Sequence, residues 1–117
     1  MSTQDEYQLI VKVAPIYPAR ALASGLEGYV VLEYRVSETG STENIRVVES
    51  SSTLFEAGAI ESAKKYKYKP RVVNGQPAAV DGVRTLISFE LEDDGPGEDV
   101  RRLENDSGVE RVVVRGN

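Results

Sequence analysis

The chain has 117 residues, of which 40% are hydrophobic and 28% charged, so it contains enough apolar side chains for one small domain. It has no cysteine and no histidine, which excludes thiol nucleophiles, thiolate metal sites and imidazole catalysis; we predict no enzyme, metal site or cofactor. The chain has a net charge of −5, and residues 92–117 carry 8 acidic and 4 basic side chains. The rest of the chain is therefore nearly neutral and gives little electrostatic support for nucleic-acid binding.

The first predicted elements are a short helix and a strand. Pro18 precedes an alanine-rich run that favours a helix, and Gly25 can end this helix in a left-handed conformation. A period of two then indicates a strand from Gly28 onward. Its core-facing residues are Val30, Leu32, Tyr34 and Val36.

A hairpin and a second helix follow. Gly40 lies in a turn that leads to a second strand, in which Ile45 and Val47 alternate with polar residues. A helical period then begins, and Pro70 requires this helix to end before it. The helical spacing joins Phe55, Ala59, Ala63 and Tyr66, and we place Lys64, Lys65 and Lys67 in the last turn, where cations suit the helix dipole.

The longest regular strand follows a turn at Asn74 and Gly75. Its alternating residues on one face are Val83, Thr85, Ile87, Phe89 and Leu91. The element order α-β-β-α-β predicts an α+β fold, a small two-layer sandwich with a three-stranded antiparallel sheet and two helices on one face. The C-terminal tail is a candidate for an extra strand.

Residues 15–91 resemble the C-terminal domain of the TonB family. The resemblance rests on five features in the right order across most of the chain. They are Pro15-x-Tyr17-Pro18, Gly25 and Gly28 before V-x-L-x-Y-x-V, the hairpin Gly40, the segment FEAGAIESAKKYKYKP, and Asn74-Gly75-x-Pro77 with a closing strand that ends in Phe89-x-Leu91. Tyr66 stands where many family members have tryptophan, which keeps an aromatic side chain in the core.

The resemblance implies a periplasmic energy transducer of Gram-negative bacteria. In this family the domain binds the Ton box of outer-membrane TonB-dependent transporters by strand addition, and it transmits force from the proton-driven ExbB–ExbD motor of the inner membrane for uptake of iron or other nutrients. The family's transmembrane helix and proline-rich spacer do not occur in this sequence. We therefore expect part of a longer protein, a soluble periplasmic domain that reaches the membrane and ExbB–ExbD only through a missing N-terminal region.

The resemblance also assigns candidate site residues. An exposed sheet edge presents unpaired backbone groups that can recruit an extended peptide. The implied partner-binding edge is Val83, Arg84, Thr85, Leu86, Ile87, Ser88, Phe89, Glu90 and Leu91. The implied additional transporter contacts are Pro15, Tyr17, Pro18, Lys69 and Arg71.

The predicted organisation has four parts. Residues 1–14 form an N-terminal extension, 15–91 the TonB-like domain, 92–108 an acidic flexible linker and 109–117 a β-prone tail. The tail itself resembles a Ton box, in Glu110, Arg111, Val112, Val113 and Val114. The tail has three interpretations. It is a fused transporter peptide, a native strand that docks on the predicted partner-binding edge within or between molecules, or an uninformative terminus. The sequence leaves open whether such a strand pairs in parallel or antiparallel direction.

Three other interpretations are weighed. An enzyme that uses only carboxylate, lysine, tyrosine or serine side chains would need polar residues that converge on a pocket, whereas this sequence spreads its acidic residues evenly over its surfaces. A TolA-like periplasmic interaction domain has a similar α+β outline, but the Pro15–Pro18 motif favours TonB. The basic cluster Lys64, Lys65, Lys67, Lys69 and Arg71, with Tyr66 and Tyr68 between its members, is a pattern that can bind nucleic acid. A helix C-terminus explains these cations more simply, so we predict no nucleic-acid partner.

Overall fold

A computed structural model describes residues 8–91 and 110–116 of the chain. In chain order its elements are β1 (Gln8–Val11), α1 (Ala19–Ser24), β2 (Gly28–Val36), β3 (Thr42–Ser50), α2 (Glu56–Ala63), β4 (Lys67–Lys69), β5 (Arg71–Val73), β6 (Gln76–Ala78), β7 (Val80–Leu91) and β8 (Glu110–Gly116). A 3-10 turn at Thr53–Phe55 leads into α2. The linker predicted at 92–108, the first seven residues of the N-terminal extension and both ends of the tail lie outside the described residues.

The largest sheet has four strands in the order β3-β2-β7-β8. Strand β2 is antiparallel to β3 and β7, whereas β8 runs parallel to β7. The structure confirms the α+β class but differs from the predicted three-stranded antiparallel sheet and from the order α-β-β-α-β. The tail supplies a fourth strand, from which Val112 and Val114 pack into the hydrophobic core. The four short strands are too brief for their period to be evident in the sequence.

Every second residue is buried from Val30 to Val36 on β2 and from Val83 to Phe89 on β7, as the period of two predicts. These residues are Val30, Leu32, Tyr34 and Val36 on β2 and Val83, Thr85, Ile87 and Phe89 on β7. The antiparallel register places Val30 opposite Ile87 and Leu32 opposite Thr85, so the two sets share one face of the sheet.

The helices cover this face. Ala21 from α1 and Ala59 and Ala63 from α2 are fully buried against the sheet. The Tyr34 hydroxyl lies 2.6 Å from Oγ1 of Thr85 within the same layer, so these buried polar atoms are paired. In the described part of the chain, neither helix has the length and apolar character needed to cross a membrane.

Both predicted helices form, but the second is shorter than predicted. Helix α1 begins after Pro18, and Gly25 ends it with φ 67°. Helix α2 ends at Ala63, and Lys67–Lys69 forms β4. The prediction of basic residues in the last helical turn is therefore wrong. Tyr66 is buried as predicted, but Tyr68 is buried too, and this alternation suits an extended chain.

Two small two-stranded sheets complete the described structure. Strand β1 pairs antiparallel with β4, and the Tyr68 N–H donates to the Gly40 carbonyl at 2.9 Å, which ties β4 to the hairpin turn. Strands β5 and β6 form a hairpin around Asn74 and Gly75, whose φ values of 52° and 80° suit a two-residue turn. The sequence predicted this turn but not its strands, and it did not predict β1.

Candidate functional site

Strand β8 covers most of the edge that the sequence predicts as the partner-binding surface. Seven consecutive residue pairs join β7 and β8 in parallel register, from Thr85 opposite Glu110 to Leu91 opposite Gly116. Val83 and Arg84, at the start of the predicted surface, precede this ladder. From Thr85 to Phe89, β7 therefore lies between β2 and a segment of its own chain.

The segment on this edge is the one that resembles a Ton box. Glu110, Arg111, Val112, Val113 and Val114 are the first five residues of β8. The edge is thus occupied in this structure, and the pairing direction left open by the sequence is parallel. Pairing satisfies backbone groups that an edge strand otherwise exposes.

Two valines of β8 belong to the hydrophobic core. Val112 and Val114 are 1% and 0% exposed and cluster with Ile87 and Phe89. Alternation along the strand directs Val113 to the opposite face of the sheet. Full burial of one valine stabilises a fold by about 1.5–3 kcal/mol, so the docked tail contributes to the stability of the domain.

Tyr17 lies beside the C-terminal end of β8, next to Gly116. Its side chain is 6% exposed, and its ring packs edge-on against Phe55 and Phe89 at centroid distances of 6.0 and 5.6 Å. The Tyr17 hydroxyl donates to the Leu26 carbonyl at 2.5 Å. These contacts fix the ring in one position.

Burial, and after it the charges near this end, favour the protonated form of Tyr17. Burial raises the pKa of Tyr17 above its ordinary value of 10.0, and the negative charges of Glu27 and Glu90 raise it further. The hydroxyl therefore remains a donor at neutral pH. Glu27 also accepts a hydrogen bond of 2.9 Å from the Leu91 N–H, which holds the end of β7.

Arg84, one of the predicted edge residues, points toward β2. Its Nε lies 3.1 Å from Oε2 of Glu33, and Arg46 of β3 pairs with the other oxygen of the same carboxylate. The hydrogen bond from Arg84, and after it the contribution of Arg46, lowers the pKa of Glu33. The Arg84 guanidinium therefore already has a partner within the sheet.

The five predicted transporter contacts lie in different surroundings. Pro15 and Tyr17 are buried and Pro18 is half-buried. Lys69 is exposed on β4 and Arg71 half-buried on β5, in two small sheets separate from the one that contains the β7 edge. Of the five, Tyr17 is brought against the end of the added strand.

Two other kinds of site find no support in this geometry. Tyr66 and Tyr68 are 0% and 3% exposed, so neither ring of the basic cluster is available to stack on a base. Within residues 8–91 and 110–116, acidic side chains do not gather in a group of three or more that could hold a metal ion.

Sequence reasoning missed the contact that Leu22 and Tyr17 make with Gly116. Leu22 is one of several apolar residues of α1, and nothing in the local pattern distinguishes it. The signal available in the sequence was a glycine two residues after Val114 in a β-prone run, because glycine inside a strand often marks a close approach.

Comparison with known proteins identifies a family. Residues 13–91 match the family model described as the Gram-negative bacterial TonB protein C-terminal. Protein TonB of Yersinia enterocolitica is 33% identical over 88 residues, which cover 74% of this chain and 32% of that protein. Protein TonB of Xanthomonas campestris pv. campestris (strain B100) is 36% identical over 78 residues, which cover 66% and 34%. The chain spans about a third of the length of these curated relatives.

Solved structures agree with this assignment. The solution NMR structure of the Pseudomonas aeruginosa TonB CTD superimposes with a TM-score of 0.58 at 27% identity, covering 76% of this chain and 87% of that one. The TonB2 protein from Vibrio anguillarum gives a TM-score of 0.54 at 31% identity, covering 75% and 84%. The family match favours TonB over the TolA alternative.

Proposed function

The chain belongs to the Gram-negative bacterial TonB protein C-terminal family, and from that membership we propose that it is the periplasmic domain of an energy transducer that binds the Ton box of outer-membrane TonB-dependent transporters. TonB-family proteins are energy transducers and not enzymes. In this proposal the Ton box adds as a strand to the β7 edge, and the domain carries force from an inner-membrane ExbB–ExbD motor to the transporter. Contacts with the motor and the membrane are assigned to other segments of the whole protein.

The observation that carries the proposal is the ladder between Thr85–Leu91 and Glu110–Gly116. An edge that accepts one extended segment has the backbone geometry for another of similar sequence. The segment now on the edge resembles a Ton box, so it serves as a stand-in for the proposed partner.

A transporter segment has to displace β8 from this edge. The tail is tethered, so its effective concentration at the edge is on the order of millimolar. The incoming strand makes the backbone hydrogen bonds that the tail gives up, and the exchange is therefore nearly balanced in hydrogen bonds. Side chains opposite Ile87 and Phe89 then decide which strand is preferred.

The same geometry suits the transmission of force. Each backbone hydrogen bond adds only about 1 kcal/mol net, so the equilibrium affinity of a short added strand is modest. A pull along the strand axis, however, loads all bonds of the ladder together. No covalent chemistry is involved.

A titration of the isotope-labelled full chain with unlabelled synthetic SGVERVVVRGN, the sequence of residues 107–117, tests strand addition. We expect the amide signals of Glu110–Gly116 to move toward those of a released segment, while the Thr85–Leu91 amides stay protected from exchange. The control is the same peptide with prolines at the positions of Val112 and Val113, which cannot form the ladder. Peptide-induced shifts that lie outside β7 and leave β8 unchanged would contradict the proposal.

A further inference from the structure

The last described residue of β8 lies against two side chains. Gly116 is opposite Leu91 and is buried. A Cβ placed on Gly116 would lie 2.6 Å from Cδ2 and 2.8 Å from Cγ of Tyr17, and 2.7 Å from Cδ2 of Leu22. Non-bonded carbon atoms pack at about 3.5–4.0 Å. No side chain therefore fits at this position unless the neighbours move.

The requirement for glycine here is one of space. Gly116 is not among the described residues with a positive φ, so other residues can adopt its backbone conformation. Glycine weakens a strand interior, and where it occurs it often marks a site of close approach. The close approach at Gly116 is the contact with Tyr17 and Leu22.

The Tyr17 ring cannot withdraw without loss. It is packed between Phe55 and Phe89, and its hydroxyl is bonded to the Leu26 carbonyl. A shift of the ring would break this hydrogen bond and open space beside two buried aromatic rings. Leu22 is half-buried, and the atom that meets Gly116 is at the end of a flexible side chain. Tyr17 therefore limits the size of the residue that fits opposite Leu91, and Leu22 further reduces the space for its side chain.

The register fixes where this limit applies on an added strand. Val112 lies opposite Ile87, Val114 opposite Phe89, and the next core-facing position is Gly116. The edge thus presents three consecutive core-facing positions. Two accept an apolar, β-branched side chain, and the third accepts none.

We propose that this end of the β7 edge is a glycine-selecting subsite, with Tyr17 and Leu22 as its specificity-determining residues. It takes extended peptides that place apolar residues opposite Ile87 and Phe89 and glycine opposite Leu91. The inference rests on the proposed strand addition and adds a rule for which partner segments the edge accepts. Segments that place any residue larger than glycine opposite Leu91, two positions after the residue opposite Phe89, are rejected.

The first test uses amide hydrogen exchange on the full chain. We expect Gly116→Ala to accelerate exchange of the β8 amides by about tenfold or more, because overpacking releases the strand. Gly58→Ala in α2 is the matched control, since its added Cβ meets nothing closer than 3.6 Å. An unchanged β8 exchange rate in Gly116→Ala, equal to that of the control, would overturn the proposal.

Leu22→Ala tests the contribution of Leu22 to the subsite separately from that of Tyr17. In this background we expect Gly116→Ala to accelerate β8 exchange less than it does in the wild-type chain, because one of the two clashing groups is gone. An undiminished effect would remove Leu22 from the subsite.

The second test compares peptides that bind in trans. GVERVVVRG and GVERVVVRA are titrated into the full chain with Gly116→Val, whose own tail is expected to leave the edge, or with Gly116→Ala if the valine variant does not fold. We expect the glycine peptide to bind at least about tenfold more tightly, a difference of about 1.4 kcal/mol. Equal affinities overturn glycine selection and leave strand addition standing. If neither peptide protects Thr85–Leu91, strand addition itself is overturned, and this inference with it.

Discussion

Val112 of β8 lies opposite Ile87 of β7, and the two side chains are 1% and 0% exposed in one hydrophobic cluster. The tail thus occupies the candidate binding edge and at the same time completes the core. Its release uncovers Ile87 and Phe89 as well as exposing its own valines. A partner strand that replaces the tail has to bury an equivalent apolar surface, so partner choice and domain stability are linked at this edge.

Truncation of a tail valine tests this linkage. We expect Val112→Ala to lower the free energy of unfolding of the full chain by about 2 kcal/mol, because methyl groups are lost from a closely packed site. Urea denaturation measures the change. Val72→Ala on β5 is the control, because Val72 is 56% exposed and its truncation is expected to change stability by less than about 0.5 kcal/mol. Equal effects of the two substitutions would show that the tail is not part of the core in solution.

The hydroxyl of Tyr17 provides a second prediction. Tyr17→Phe keeps the ring but removes the hydrogen bond to the Leu26 carbonyl. We expect a loss of about 1 kcal/mol in the free energy of unfolding, together with faster amide exchange in β8, since the ring that supports Gly116 is held less firmly. A lower stability with unchanged β8 exchange would mean that the hydroxyl supports the core without supporting the edge.

The carboxylate of Glu33 predicts a dependence on pH. Arg84 and then Arg46 lower the pKa of Glu33 below its ordinary value of 4.5. A lowered folded-state pKa contributes stability above the ordinary pKa, and this contribution is lost as the pH falls through the lowered value. We expect the stability advantage of the wild-type chain over Glu33→Gln to be full at about pH 6 and to shrink toward about pH 3.

Urea midpoints at several pH values measure this advantage. Glu38→Gln, at an exposed position in the turn after β2, controls for the loss of a surface carboxylate. An advantage of Glu33 that stays constant from about pH 6 to about pH 3 would contradict the stabilising role of the ion cluster.

The central strands were predictable because one face of each is buried from Val30 to Val36 on β2 and from Val83 to Phe89 on β7. Val30 and Leu32 on β2, and Ile87 and Phe89 on β7, repeat with a period that helices do not produce. The same argument predicted which face carries the core. The prediction that β7 is an edge strand rested only on a count of three strands in the sheet. The tail adds a fourth strand beside β7.

The remaining parts depend on contacts between residues distant in the sequence. Strand β1 forms because Leu9 meets Tyr68, and neither short strand is long enough to show a period. The end of α2 was misplaced because the helical spacing from Phe55 to Tyr66 correctly describes buried residues. The helix nevertheless ends at Ala63, and after a turn the chain is extended from Lys67. The parallel direction of β8 places Gly116 against Tyr17, a steric match that no local pattern contains.

Docking of β8 on β7 of the same chain makes a final prediction about concentration. An intramolecular strand meets its edge at an effective concentration that does not depend on how much protein is in solution. We therefore expect equal amide protection of Glu110–Gly116 at about 10 μM and about 1 mM protein, with sedimentation velocity showing a monomer at both. Exchange of tails between copies would instead give protection that rises with concentration, together with a dimer of swapped β8 strands. Gly116→Ala distinguishes the two arrangements further: in a monomer it frees the tail at every concentration, whereas in a swapped dimer it also dissociates the dimer.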